Sequence, residues 1–204
     1  MHAYYERNSK IYWMRIGLFF GSFNPMHIGH KVIASYMAEF SDLQHVWFVV
    51  SPQNPLKQKQ SLLDKHHRLM IIRMEVEDNP KLSSSDIEFN LSQPSYTIDT
   101  LGHLKEQYPE NDFVLIMGAD NLQSFHKWKE YEQILANYSV YVYPRLGIEI
   151  SNSHENIHII KGVPQMEISS SFIRDAIKQG QDVSYLMPEK AWQYIKEMNL
   201  YKIE

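Results

Sequence analysis

At 204 residues, with 44% hydrophobic and 22% charged side chains, the chain has the composition of a soluble globular protein large enough to bury a full core. It contains no cysteine, which excludes a disulfide framework and thiolate metal or redox chemistry. No run approaches the roughly 20 apolar residues of a membrane span, and no cationic start leads into a secretory h-region, so a cytoplasmic location with no membrane partner is expected. A net charge of −4 disfavours general nucleic-acid binding but leaves a small polyanion open as a ligand.

Residues 1–13, MHAYYERNSKIYW, carry no clear period and read as an N-terminal extension, poorly ordered or the product of a misassigned start. Residues 14–204 read as one domain without internal repeats. Strands are predicted at 15–20, 45–50, 82–89, 113–117, 139–143 and 157–160. The runs VWFVV, FVLIM and VYVY are continuous rather than alternating, as expected of strands covered on both faces. Between them HKVIASYMAEF, DKHHRLMIIRMEVE and TIDTLGHLKEQY have apolar residues at helical spacing. This alternation predicts an α/β fold, a doubly wound Rossmann-like parallel sheet with helices on both faces. In the tail, SSSFIRDAIKQG opens on serines, carries Phe172, Ile173, Ala176 and Ile177 along one face, and stops at Gly180; PEKAWQYIKEM starts a last helix near Pro188. His66, His67 and Arg68 fall on a helix whose Leu69, Met70, Ile71 and Ile72 serve packing. YVYPR, at 141–145, reads as a buried strand leaving the sheet.

Ligands of such sheets bind beyond the carboxyl ends of the strands, where strand order reverses. The first predicted strand ends there in GSFNPMHIGH, residues 21–30. Gly21 lets main chain approach a ligand, Pro25 stiffens the loop, and Gly29 removes bulk at a helix start. Unpaired N–H groups at that start attract an anion by about 0.3–1 kcal/mol. His27 and His30, three residues apart, can project toward the same anion and follow charge developing on a phosphoryl oxygen. The same spacing suits a metal, but no third ligand stands nearby and no metal site is expected. Far downstream ISSSFIR, residues 168–174, opens a helix with a serine cluster whose hydroxyls and N–H groups lie together. Arg174 sits one turn in, off the apolar face, where a guanidinium can either grip phosphate oxygens or lie solvated.

GSFNPMHIGH resembles the (H/T)-x-G-H signature of the nucleotidyltransferase superfamily, and ISSSFIR its second signature, in the expected order. With PSYTIDTL at 94–101 and GADNLQSFHKW at 118–128, residues from about Met14 to Tyr201 look like the bacterial nicotinate-nucleotide adenylyltransferase family. The resemblance implies transfer of the adenylyl group of ATP to nicotinate mononucleotide, giving nicotinate adenine dinucleotide and pyrophosphate in NAD biosynthesis. It implies that His27, His30 and Arg174 are catalytic. ATP would meet Gly21, Ser22, Phe23 and the two histidines on one side, and Ile168, Ser169, Ser170, Ser171 and Arg174 on the other. Gly118 and Asp120 would face its adenosine. The mononucleotide would meet Ser22, Asn24, Lys57, Tyr96, Thr97 and Trp128, the tryptophan stacking on the pyridine ring and Thr97 capping its helix. Mg2+ would be bound through the ATP phosphates rather than by a protein cage. The chain departs from the family pattern at Phe20, which replaces a glycine, at Asn24, which replaces a carboxylate, and at Ser171, which replaces a threonine. Nicotinamide mononucleotide or pantetheine-phosphate adenylyl transfer, and a non-catalytic nucleotide-sensing module, are the alternative readings. A homo-oligomer is compatible with all of them.

Overall fold

Residues 13–53, 62–150 and 154–202 are described by a computed structural model of the chain. The expected N-terminal extension, apart from Trp13, lies outside the described residues. Six short runs become strands: β1 (Arg15–Gly21), β2 (His45–Val50), β3 (Leu82–Ser85), β4 (Asp112–Gly118), β5 (Ser139–Tyr143) and β6 (Ile157–Ile159). They form one sheet in the order β3-β2-β1-β4-β5-β6, and every neighbouring pair is parallel. Among the described residues seven α-helices accompany them, the last two after β6: α1 (Ile28–Phe40), α2 (Lys65–Val76), α3 (Thr97–Gln107), α4 (Ala119–Ser124), α5 (Tyr131–Asn137), α6 (Ser170–Lys178) and α7 (Glu189–Glu197). This is the doubly wound Rossmann-like arrangement, with strand order reversing between β1 and β4.

The continuous apolar runs are explained by two covered faces. On one face Phe19, Phe48, Val114 and Ile116 pack with Ile33 and Met37 of α1, Leu69 and Ile72 of α2, Ile173 and Ile177 of α6 and Ile195 of α7. On the other, Ile16, Leu18, Leu115 and Val142 pack with Leu101 and Leu104 of α3 and Ile134 of α5. Alternate residues of β1 thus serve opposite cores, as the period of a strand requires. Among the described residues no helix is long and apolar enough to cross a membrane.

Three local readings change. The third strand, expected to reach residue 89, stops at Ser85, and the chain turns into a 3₁₀ segment at Ile87–Asn90 that buries Glu88. Met70 and Phe172, assigned to packing faces, are 44% and 54% exposed, because each points off its helix away from the sheet. Thr97 does not cap α3: it is the first helical residue, and Tyr96 occupies the cap position without a side-chain bond.

Candidate active site

A cavity of about 860 Å³ opens at the carboxyl ends of the central strands. The segment after β1 forms one wall, through Gly21, Ser22, Phe23, Asn24, His27 and His30. Phe23 has φ of 44° and is buried beneath Gly21. A Cβ at Gly21 would come within 2.7 Å of the Phe23 ring, so this glycine is needed for close packing inside the loop.

His27 caps α1 and His30 is its third residue. The His30 Nδ1 accepts the His27 backbone N–H at 3.2 Å, the reciprocal half of a capping box built from imidazole instead of carboxylate. The two rings stack at 3.7 Å with 25° between their planes. Gly29 lies beneath His27, and a Cβ there would sit 3.1 Å from the imidazole. The H-x-G-H spacing is therefore a geometric requirement: cap, small residue under the ring, and acceptor one turn on. Because Nδ1 of His30 accepts, its neutral tautomer carries the proton on Nε2, which makes that atom a donor.

The opposite wall comes from the segment before and within α6. Ser169 caps α6, its Oγ accepting the Phe172 N–H at 3.2 Å. The neighbouring hydroxyl of Ser170 donates to the Pro25 carbonyl at 2.9 Å. Arg174 Nη1 donates to the Asn24 carbonyl at 2.8 Å, and Nη2 donates to Ser171 Oγ at 3.2 Å. Two segments some 145 residues apart are thus bonded directly at the cavity rim. The serines divide the work of capping, tethering and orienting the arginine.

The cytidylyltransferase-like family profile matches residues 18–176. A Flavobacterium psychrophilum protein named "Probable nicotinate-nucleotide adenylyltransferase" is 55% identical over 193 residues, covering 93% of this chain and all of the relative. The protein of the same name from Flavobacterium johnsoniae is 53% identical over 193 residues, with the same coverage. The chain belongs to the nicotinate-nucleotide adenylyltransferase family. The fold also matches Plasmodium falciparum nicotinic acid mononucleotide adenylyltransferase complexed with NaAD, at TM-score 0.76 and 20% identity, covering 92% of this chain and 97% of that one.

Several predicted family contacts stand elsewhere than on the cavity wall. Gly118 ends β4 just behind it, and a Cβ there would collide with the Asp120 carboxylate and approach Tyr143 to 3.1 Å. Asp120 and Ile168 do line the cavity. Tyr96, Thr97 and Trp128 do not; Lys129, the residue after Trp128, lies 4.9 Å over the Tyr96 ring and pairs with Asp99 of α3 at 3.0 Å. Trp128 packs edge-on against Phe125 at 5.2 Å. The Asn24 side-chain oxygen accepts the Leu63 N–H at 3.2 Å and the Tyr201 hydroxyl at 2.9 Å, so it braces the loop. Lys57 lies outside the described residues.

Sequence reasoning missed two arginines. Arg145 lines the cavity, 5.3 Å over the Tyr143 ring and 3.4 Å from Asp120, where YVYPR suggested only a buried strand end. Arg68, fully buried, donates to the carbonyls of Ser22, Ser51, Pro52 and Leu63 at 2.6–3.0 Å. It pins three cavity-side segments with a charge that meets no carboxylate ion pair among the described residues. Its position in the register of buried Ile71, Ile72 and Glu75 was the available signal.

Burial, and then the charge of Arg145, lower the His27 imidazole to about 4. An unfolded histidine titrates near 6.5, so between these values the unfolded chain binds more protons than the folded one. Above pH 6.5 the ring is neutral in both states and nothing is lost; as pH falls toward 4 the cost of charging the buried ring removes stability, roughly 3 kcal/mol at most. Thermal melts between pH 7 and pH 4 should therefore show a smaller loss for His27→Gln than for the parent. Parallel losses would contradict the burial of a neutral ring.

Proposed function

We propose that the chain transfers the adenylyl group of ATP to nicotinate mononucleotide, giving nicotinate adenine dinucleotide and pyrophosphate. The carrying observation is the direct hydrogen-bonded junction of residues 21–30 with 168–174 around one cavity. The cavity suits a triphosphate in size and chemistry: it is walled by histidine, serine and arginine side chains and by the starts of two helices.

A 5′-phosphate oxygen of the mononucleotide forms a bond to the α-phosphorus of ATP, while the bond from that phosphorus to the bridging oxygen breaks and pyrophosphate leaves. Positioning and charge stabilisation suffice, and no protein nucleophile is required. His30 Nε2–H donates to an α-phosphoryl oxygen as charge grows there. His27 holds His30 in orientation and contacts the triphosphate as a neutral ring. Arg174 draws off the charge of the departing pyrophosphate, and Asp120 accepts the ribose hydroxyls. Among the described residues no three metal-ligating side chains gather. Asp120 on the cavity wall is engaged with Arg145. Magnesium bound through the phosphate oxygens of ATP would supply neutralisation of phosphate charge here. The reaction belongs with its soluble substrates in the cytoplasm.

The nicotinate end of the mononucleotide meets Tyr96, Thr97 and Trp128. Trp128→Ala is expected to raise the KM for the mononucleotide by about fivefold and leave that for ATP unchanged, since ring stacking contributes about 1 kcal/mol. Equal increases for both substrates would remove Trp128 from this role. The reaction itself is tested by pyrophosphate release from ATP with nicotinate mononucleotide, nicotinamide mononucleotide or pantetheine phosphate. Turnover with the first well above the others is expected; turnover with none of them would overturn the proposal.

A further inference from the structure

Glu88 is a carboxylate that the mechanism does not use, although it is only 2% exposed. It sits in the 3₁₀ segment where β3 was expected to continue. Its Oε2 accepts the Ser95 hydroxyl at 3.0 Å and its Oε1 accepts the Thr100 hydroxyl at 2.9 Å. The Ser51 side chain, just after β2, lies close enough to favour its charged form. Ser95 and Thr100 flank the first turn of α3, and Thr100 Oγ1 also donates to the Tyr96 carbonyl at 3.2 Å. Ser51 in turn donates its N–H to the Gly21 carbonyl at 2.9 Å, and its own carbonyl accepts from Arg68 at 2.8 Å. One buried side chain therefore joins the entry of α3 to the loop after β1.

We propose that Glu88 is a positioning residue for the acceptor mononucleotide, setting Tyr96 and Thr97 at a fixed distance from the phosphate-binding loop through Ser95, Thr100 and Ser51. This rests on the reading that Tyr96 and Thr97 meet the nicotinate end. A substrate held at both ends needs those ends in register, because a misplacement of about 1 Å already costs on the order of a hundredfold in rate. Glutamate suits the task, since two carboxylate oxygens can accept several hydroxyls at once. Burial raises the Glu88 carboxyl above the ordinary carboxylate range, and the surrounding hydroxyls pull it back only in part.

Glu88→Gln keeps the shape but offers one acceptor oxygen, so at least one hydroxyl must turn away. It is expected to raise the KM for nicotinate mononucleotide by about tenfold, with the KM for ATP unchanged, the loss of one charge-assisted hydrogen bond. Ser95→Ala should give a smaller increase of the same selectivity, about threefold, and decides the matter alone if Glu88→Gln does not fold. A purely structural role would lower the melting temperature and affect both substrates alike, or neither; that result overturns the proposal. Tyr96→Ala is measured in parallel. If it leaves the mononucleotide KM unchanged, the placement of the nicotinate end fails and this proposal with it. If it raises that KM while Glu88→Gln and Ser95→Ala do not, the positioning role alone falls.

Discussion

His30→Ala is expected to lower kcat by about a thousandfold while changing the KM for ATP by no more than about threefold. The expectation follows from which atom of His30 is already committed. Its Nδ1 accepts the His27 N–H, so Nε2 carries the proton in the neutral ring. The ring is held between His27, stacked at 3.7 Å, and Phe23, edge-on at 5.1 Å. A donor fixed in this way spends no reorganisation when charge gathers on the phosphoryl oxygen. A thousandfold corresponds to about 4 kcal/mol, the upper range for removal of one preorganised donor. Steady-state kinetics with both substrates varied give the answer, with a melting curve to show that α1 keeps its cap. A fall in kcat/KM carried entirely by the KM for ATP would make His30 a binding residue and nothing more.

The fold was legible because the strands of a sheet covered on both sides announce themselves as apolar runs, and VWFVV, FVLIM and VYVY all became central strands. The two cavity walls were legible because both signatures are local: cap, glycine and ring lie within four residues in one, cap and arginine within six in the other. Residues whose partners are distant main-chain atoms were not legible. Arg68 binds carbonyls 5 to 46 positions away, and carbonyls leave no trace in a sequence. Glu88 was hidden inside a strand-like run because its hydroxyl partners come from segments that meet only after folding. Asn24 stood out as a departure from a carboxylate and as an expected mononucleotide contact, but its bracing role did not. Its amide oxygen takes the Tyr201 hydroxyl and the Leu63 N–H, which ties the end of the chain to the loop after β1.

Arg174 joins the two walls, and its replacement should have the second largest effect. Arg174→Ala is expected to reduce kcat/KM for ATP by about a hundredfold or more, through loss of a charge-assisted contact to phosphate and of the geometry that aims it. The guanidinium spans two elements: Nη1 reaches the Asn24 carbonyl and Nη2 the Ser171 hydroxyl. That fork fixes the charge at the rim before substrate arrives, which an ammonium on a flexible stem cannot reproduce. Arg174→Lys should therefore recover no more than about tenfold of the loss. The reverse reaction separates aim from charge, because in the proposed mechanism pyrophosphate is then the substrate that meets this residue. A KM for pyrophosphate raised in both variants, more in alanine than in lysine, is the expected result. Full activity in Arg174→Lys would show that charge alone suffices. An unchanged KM for pyrophosphate in Arg174→Ala, with only a lower melting temperature, would leave Arg174 as a clasp between the loop after β1 and α6 and pass the leaving group to other donors.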